Sequence, residues 1–91
     1  MKAFEVHLNG KRVCIAGVGE FGVLTGIVSW RGMQPYKDGT VPSADSLQLQ
    51  VSGLTNPSGK KVGWTERDIR VGDRIEIRVI DASAVDSPVE T

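Results

Sequence analysis

The dipeptide Asn9-Gly10 constrains this chain more than any other feature. Both residues tolerate the positive φ angles of a type I′ turn, so the pair joins two antiparallel strands by a two-residue loop and fixes their register. Counting outward, Leu8 faces Lys11, His7 faces Arg12, Val6 faces Val13, Glu5 faces Cys14 and Phe4 faces Ile15. The apolar pairs then share one face, and Glu5, His7, Arg12 and Cys14 share a wet one. A slip of one residue would exchange the faces, so this agreement predicts a hairpin over residues 3 to 16.

The rest of the chain reads the same way. Val and Ile together outnumber Leu by more than three to one, and 11 Gly with 4 Pro supply turns throughout. Val23 to Trp30 is apolar on both faces, with Leu24, Val28 and Trp30 on one and Val23 and Ile27 on the other. That pattern predicts a central strand covered on both sides, and Gly26 within it marks a bulge, a bend or a close backbone approach. Residues 31–46 hold two Pro, two Gly and no periodicity, and read as a long loop. Leu47 to Val51 alternates as a strand.

Asn56-Pro57-Ser58-Gly59 fits a type I turn, with Gly53 set against Val62, Val51 against Trp64, and the hairpin ending near Thr65. Thr65 to Asp68 is a loose capping box worth one short helical turn at most. Ile75, Ile77 and Val79 alternate with Arg74, Glu76 and Arg78 as a last strand, and Ile69 to Val71 reads as a lead-in that plugs an end of the core. Trp30 and Trp64 both fall in apolar register and read as core. The string Val71-Gly72-Asp73-Arg74-Ile75-Glu76-Ile77 resembles the turn-and-strand of swapped-hairpin and other cradle-loop barrels over these seven residues alone, and implies nothing about function. The expectation is an all-β domain, a small antiparallel barrel or sandwich of five to six strands with at most one short helical turn.

Charge divides the chain in two. Residues 1–80 hold all 11 Lys and Arg but 8 of the 11 acids, and residues 81–91 carry the other three acids among Ser, Ala and Pro. The expected organisation is one β domain over 1–80 and a solvated, flexible acidic tail over 81–91. No apolar run has bilayer length, and MKAFEVHLNG alternates where a signal peptide would be continuously apolar. With Cys14 as the one cysteine, neither an internal disulfide nor a cysteine zinc site can form, and a cytoplasmic setting is expected.

Motifs for chemistry are sparse. Gly17-x-Gly19-x-x-Gly22 matches a dinucleotide fingerprint in form, yet Val23, Thr25, Ile27 and Val28 favour a strand where that fingerprint needs a helix N-terminus. It reads instead as a glycine-rich connection needing positive φ, with Phe21 as a packed anchor. His7 and Cys14 could form a nucleophile and base, but Glu5 opposite Cys14 would raise the thiol pKa. The acids Glu20, Asp38, Asp45, Glu66, Asp68 and Asp73 are scattered, and most stand where turns want them. No catalytic, cofactor or metal site is expected.

Two readings of function remain. The first is a binding or assembly module acting on another protein or on a second copy of itself, through a sheet face or edge and the 31–46 loop, with His7, Arg12, Met33, Tyr36 and Lys37 as partner-binding residues. So short a chain buries a modest fraction of its surface, and open sheets carry edges that need covering. The second is a small barrel that binds single-stranded nucleic acid through Lys60, Lys61, Arg67, Arg70, Arg74 and Arg78, with Trp64 among them. Glu66, Asp68, Asp73 and Glu76 dilute that basic stripe, which weakens it as a phosphate footprint.

Overall fold

The computed structural model describes residues 1–33 and 45–89. Asn9 and Gly10 have φ of 53° and 81°, the pair of positive angles that a type I′ turn needs. They join β1 (Lys2–Leu8) to β2 (Lys11–Ala16), and a glycine-rich connection with Gly19 at φ 85° leads to β3 (Val23–Arg31). Then follow β4 (Ser46–Thr55), β5 (Lys60–Asp68) and β6 (Ile75–Asp81). These six strands form two antiparallel three-stranded sheets, ordered β2-β1-β6 and β3-β4-β5. The expected all-β fold is therefore present, as an open sandwich in place of a closed barrel. No helix occurs among the described residues, so none there is long and apolar enough to cross a membrane.

The core lies between the central strands β1 and β4. Val6, Leu49 and Val51 are the largest fully buried side chains, each stabilising the fold by about 1.5–3 kcal/mol relative to exposure. Cys14, Ala16, Trp64 and Ile69 join them, and Phe4, Leu8, Val18, Leu24 and Ile77 pack against the cluster from partly buried positions. Gly26 is the close approach that its place in the strand foreshadows: a Cβ there would stand 2.8 Å from Ile77 Cδ1. That contact sets β3 across from β6.

Two bulges change the expected registers. Leu8↔Lys11 and His7↔Arg12 hold, but the pairing then shifts to Val6↔Cys14, Glu5↔Ile15 and Phe4↔Ala16. One extra residue in β2 turns Cys14 from the predicted wet face to the buried one, because pairing past a bulge resumes on the opposite parity. In the second hairpin Gly53↔Val62 holds, yet Val51 pairs with Thr65 and not with Trp64. The turn also runs one residue longer than a type I turn, with Gly59 N–H donating to Thr55 O at 2.7 Å. Thr65 to Asp68 continues β5 as strand in place of the expected helical turn, and Gln48 pairs with Asp68.

Four further expectations are corrected. β3 is an edge strand among the described residues, where β4 alone pairs with it and no described strand covers its outer flank. Trp30, expected in the core, is exposed, and so is Phe21, expected as an anchor. Ile69 does plug the core, whereas Val71 beside it is almost wholly exposed. The Val-Gly-Asp turn does precede β6, held by Asp73 N–H to Arg70 O at 3.0 Å and by Arg70 N–H to Asp73 Oδ2 at 2.7 Å. Asn9 ties the two turns together, donating from Nδ2 to Asp73 Oδ1 and accepting at Oδ1 from Arg74 N–H, both at 2.9 Å.

The segment after β6 makes specific hydrogen bonds where a solvated tail is expected. Asp86 N–H donates to Ile15 O at 2.9 Å, and Ile15 N–H donates back to Asp86 Oδ2 at 2.9 Å, so this residue covers the outer edge of β2. Three residues later Val89 N–H donates to Gly63 O of β5 at 2.8 Å. Between them Trp64 Nε1–H donates to Asp86 O at 2.8 Å, and Val85 packs over Gly17. The segment thus straps β2 of one sheet to β5 of the other and seals that side of the sandwich.

Candidate functional site

Among the described residues the opposite side has no such strap. β6 ends the first sheet and β3 ends the second, and no described strand pairs with the outer flank of either. Val28 and Trp30 pair with Leu49 and Leu47, so they point toward the sandwich interior, yet they are 54% and 68% exposed. Val79 pairs with Phe4 on the corresponding face of β6 and is 69% exposed. These residues follow the alternation of core positions and yet stand more than half exposed. The Trp30 ring is held in place: its Nε1–H donates to Asp45 Oδ2 at 2.6 Å, and its six-membered ring lies against Gly32. Met33, two residues past β3, is also exposed.

A second cluster stands on the outer face of the first sheet. Glu5 and His7 from β1, Arg12 from β2, and Glu76 and Arg78 from β6 occupy neighbouring positions there. His7 Nε2 lies 2.9 Å from Glu5 Oε1, Arg78 Nη1 lies 3.9 Å from the same oxygen, and Arg78 Nε donates to Glu76 Oε1 at 3.1 Å. The hydrogen bond from His7, followed by the positive charges of Arg78 and Arg12, holds the Glu5 carboxyl below the ordinary carboxylate range against the opposing effect of burial. The cluster is internally compensated, and as an exposed charge network it adds little to stability.

Of the residues expected to bind a partner, His7 and Arg12 come together in this cluster, while Met33 lies by the open side. Tyr36 and Lys37 lie outside the described residues. The basic residues of 60–78 do not assemble into one stripe. Lys60 and Lys61 open β5, Arg67 stands near its far end, about 20 Å away along the strand, and Arg78 belongs to the other sheet. Arg67 and Arg70 line a hollow of about 810 Å³ together with Glu66, Asp68 and Asp73. A shallow groove of about 560 Å³ also crosses the outer face of the second sheet, between Val23, Gln50, Ser52 and Lys61.

Cys14 and His7 do not share a site, because the bulge in β2 places them on opposite faces. Burial pushes the Cys14 thiol pKa up, the Asp86 carboxylate adds to the rise, and Arg67 opposes it. The direction is the one expected from a carboxylate opposite the thiol, but the cause is burial first, and the acid is Asp86 in place of Glu5.

The expected cover of Val28 and the expected core place of Trp30 are correct for orientation and wrong for burial. The available signal was the arithmetic of partners: a strand apolar on both faces needs neighbours on both, and 91 residues supply few. No family model matches this chain, and no significantly similar curated protein or solved structure was found.

Proposed function

We propose that this chain is a non-catalytic binding module that associates with protein through the open side of its sandwich. The observation that carries this reading is the contrast between the two sides: residues 82–89 strap β2 to β5, while across the molecule Val28, Trp30 and Val79 face inward without cover. A partner that fills that side completes a core, so its affinity comes from burying apolar surface and an ordered indole. The outer backbones of β3 and β6, with which no described strand pairs, offer strand addition as the accompanying hydrogen-bonded contact.

The electrostatics favour protein over nucleic acid as the partner. The exposed indole lies on β3 with Arg31 as its one basic strand neighbour, and the 60–78 bases are spread over both sheets among acids. Single-strand binding wants aromatic platforms and cations in one groove. The one cysteine offers no accessible nucleophile, since Cys14 is buried with a raised pKa.

Native mass spectrometry on the chain, purified gently from its source alongside the Val28→Ser/Trp30→Ser double variant, tests this. The expected result is a dimer joined through an open strand, or a complex with a second protein that the double variant loses while keeping its fold by circular dichroism. A bare 9.8 kDa monomer from the unaltered chain, or an assembly indifferent both to the double substitution on β3 and to Val79→Pro on β6, overturns the reading.

A further inference from the structure

The strand β6 carries a pattern that identifies one partner for its open edge. Two hydrogen bonds bracket its pairing with β1: Arg74 O accepts from Asn9 N–H at 2.8 Å, and Ala82 N–H donates to Met1 O at 2.8 Å. In an antiparallel ladder the backbone groups of alternate residues point to opposite sides. Even-numbered residues of β6 therefore direct N–H and C=O toward β1, and Ile75, Ile77 and Val79 direct theirs outward. No described strand takes them up.

The side chains along this edge read Ile75-Glu76-Ile77-Arg78-Val79, with opposite charges placed symmetrically about Ile77. Consider a second copy of the strand, antiparallel, related by a two-fold axis through Ile77. Glu76 then faces Arg78 of the copy and Arg78 faces its Glu76, while Ile75 faces Val79 and Ile77 faces Ile77. Charge meets opposite charge on one face, and apolar meets apolar on the other. The outward amides of Ile77 and its counterpart exchange both hydrogen bonds. A charged edge ordinarily discourages pairing, but under this operation the charges attract. An axis through Glu76 or Arg78 would set like charges directly opposite, which is destabilising. An axis between residues would pair side chains that point to opposite faces.

We infer that β6 is a self-pairing edge, and that two copies of this chain join through it into a continuous six-stranded sheet ordered β2-β1-β6-β6-β1-β2. The inference rests on the reading of this side as a protein-binding surface and names a second copy as the protein. The contact is isologous, so it closes at a dimer. It brings the exposed Val79 against Ile75 of the partner copy, and leaves the sealed β2/β5 side at the far ends.

Charge reversal tests the register. By sedimentation equilibrium, Glu76→Arg and Arg78→Glu should each weaken dimerisation about tenfold or more, because each puts two like-charged pairs across the axis. Mixing the two variants should restore association as a heterodimer, and the double variant Glu76→Arg/Arg78→Glu should dimerise like the unaltered chain. Val79→Pro is the second probe should a reversal disturb the Glu5 cluster: its N–H points outward, so the monomer tolerates the change while the paired edge does not. An unaltered chain that is monomeric throughout overturns the inference, as does a dimer indifferent to every one of these variants. A monomer that still forms a complex with a second protein, lost in Val28→Ser/Trp30→Ser, overturns self-pairing and leaves the broader reading in place.

Discussion

Ending the chain at Asp81 should remove about 3 kcal/mol or more of stability, a large share of the roughly 5–10 kcal/mol expected for a domain of this size. The missing segment supplies six hydrogen bonds: the reciprocal pair between Asp86 and Ile15, the Trp64 indole to Asp86 O, Val89 N–H to Gly63 O, and the two that Ala82 exchanges with Met1. Each is worth about 1 kcal/mol net, and a buried indole N–H left without an acceptor costs a further 1–3 kcal/mol. Part of that loss is offset by water reaching Trp64. Urea unfolding of the full and shortened chains measures the difference, and Trp64 emission should move to longer wavelength in the folded shortened chain. A truncated chain within about 0.5 kcal/mol of the full one would mean that the strap is decoration.

Gly53→Ala should cost about 2 kcal/mol, and Gly26→Ala should be close to neutral. Both glycines lie inside strands, where replacing glycine by alanine normally gains about 0.5–1 kcal/mol. They differ in what a methyl group would meet. At Gly53 a Cβ would stand 2.6 Å from Val18 Cγ1 and 2.8 Å from the Val23 carbonyl oxygen across the ladder, with the Trp64 ring at 3.6 Å. A β-branched side chain and a backbone oxygen yield only by moving β3 against β4, and overpacking of this kind costs 1–3 kcal/mol. At Gly26 the one close neighbour is the far end of Ile77, which can change rotamer. Thermal melts of the two variants give the comparison directly. Equal effects would show that the β3–β4 spacing is less fixed than these contacts require.

What the sequence made legible follows from how local each signal is. The Asn9-Gly10 turn, the alternation in Leu47 to Val51 and the pattern of Ile75, Ile77 and Val79 are complete within a few residues, and each forms the element expected of it. The bulges are not local in this sense. Val13 and Cys14 are both apolar, so either can stand opposite Val6, and the choice depends on how β2 meets the second sheet. Trp64 and Thr65 pose the same ambiguity opposite Val51.

Edge or centre is likewise a property of the whole topology. Val23 to Trp30 carries the apolar content of a central strand, but β4 occupies the centre because it reaches a neighbour on either side. The strap was hidden by its composition: Asp86 reads as one more solvated acid until its carboxylate and backbone are seen to act as a strand partner for Ile15. The candidate site was half visible. Val28 and Trp30 fall on the face expected of them, and the reciprocal charges of β6 stand in the sequence, but only the fold shows that no described strand pairs with this edge.

The central claim is that one side of the sandwich is sealed by its own chain and the other is kept for a partner. Amide hydrogen exchange on the full chain at two protein concentrations tests both halves at once. The amides of Asp86 and Val89 should be protected at either concentration, since their acceptors lie within the same molecule. Those of Ile75, Ile77 and Val79 should exchange quickly in dilute solution and slow selectively as concentration rises, while Glu76 and Arg78 stay protected throughout. Unprotected amides at Asp86 and Val89, or exchange at the three outward amides of β6 that ignores concentration, would contradict the account.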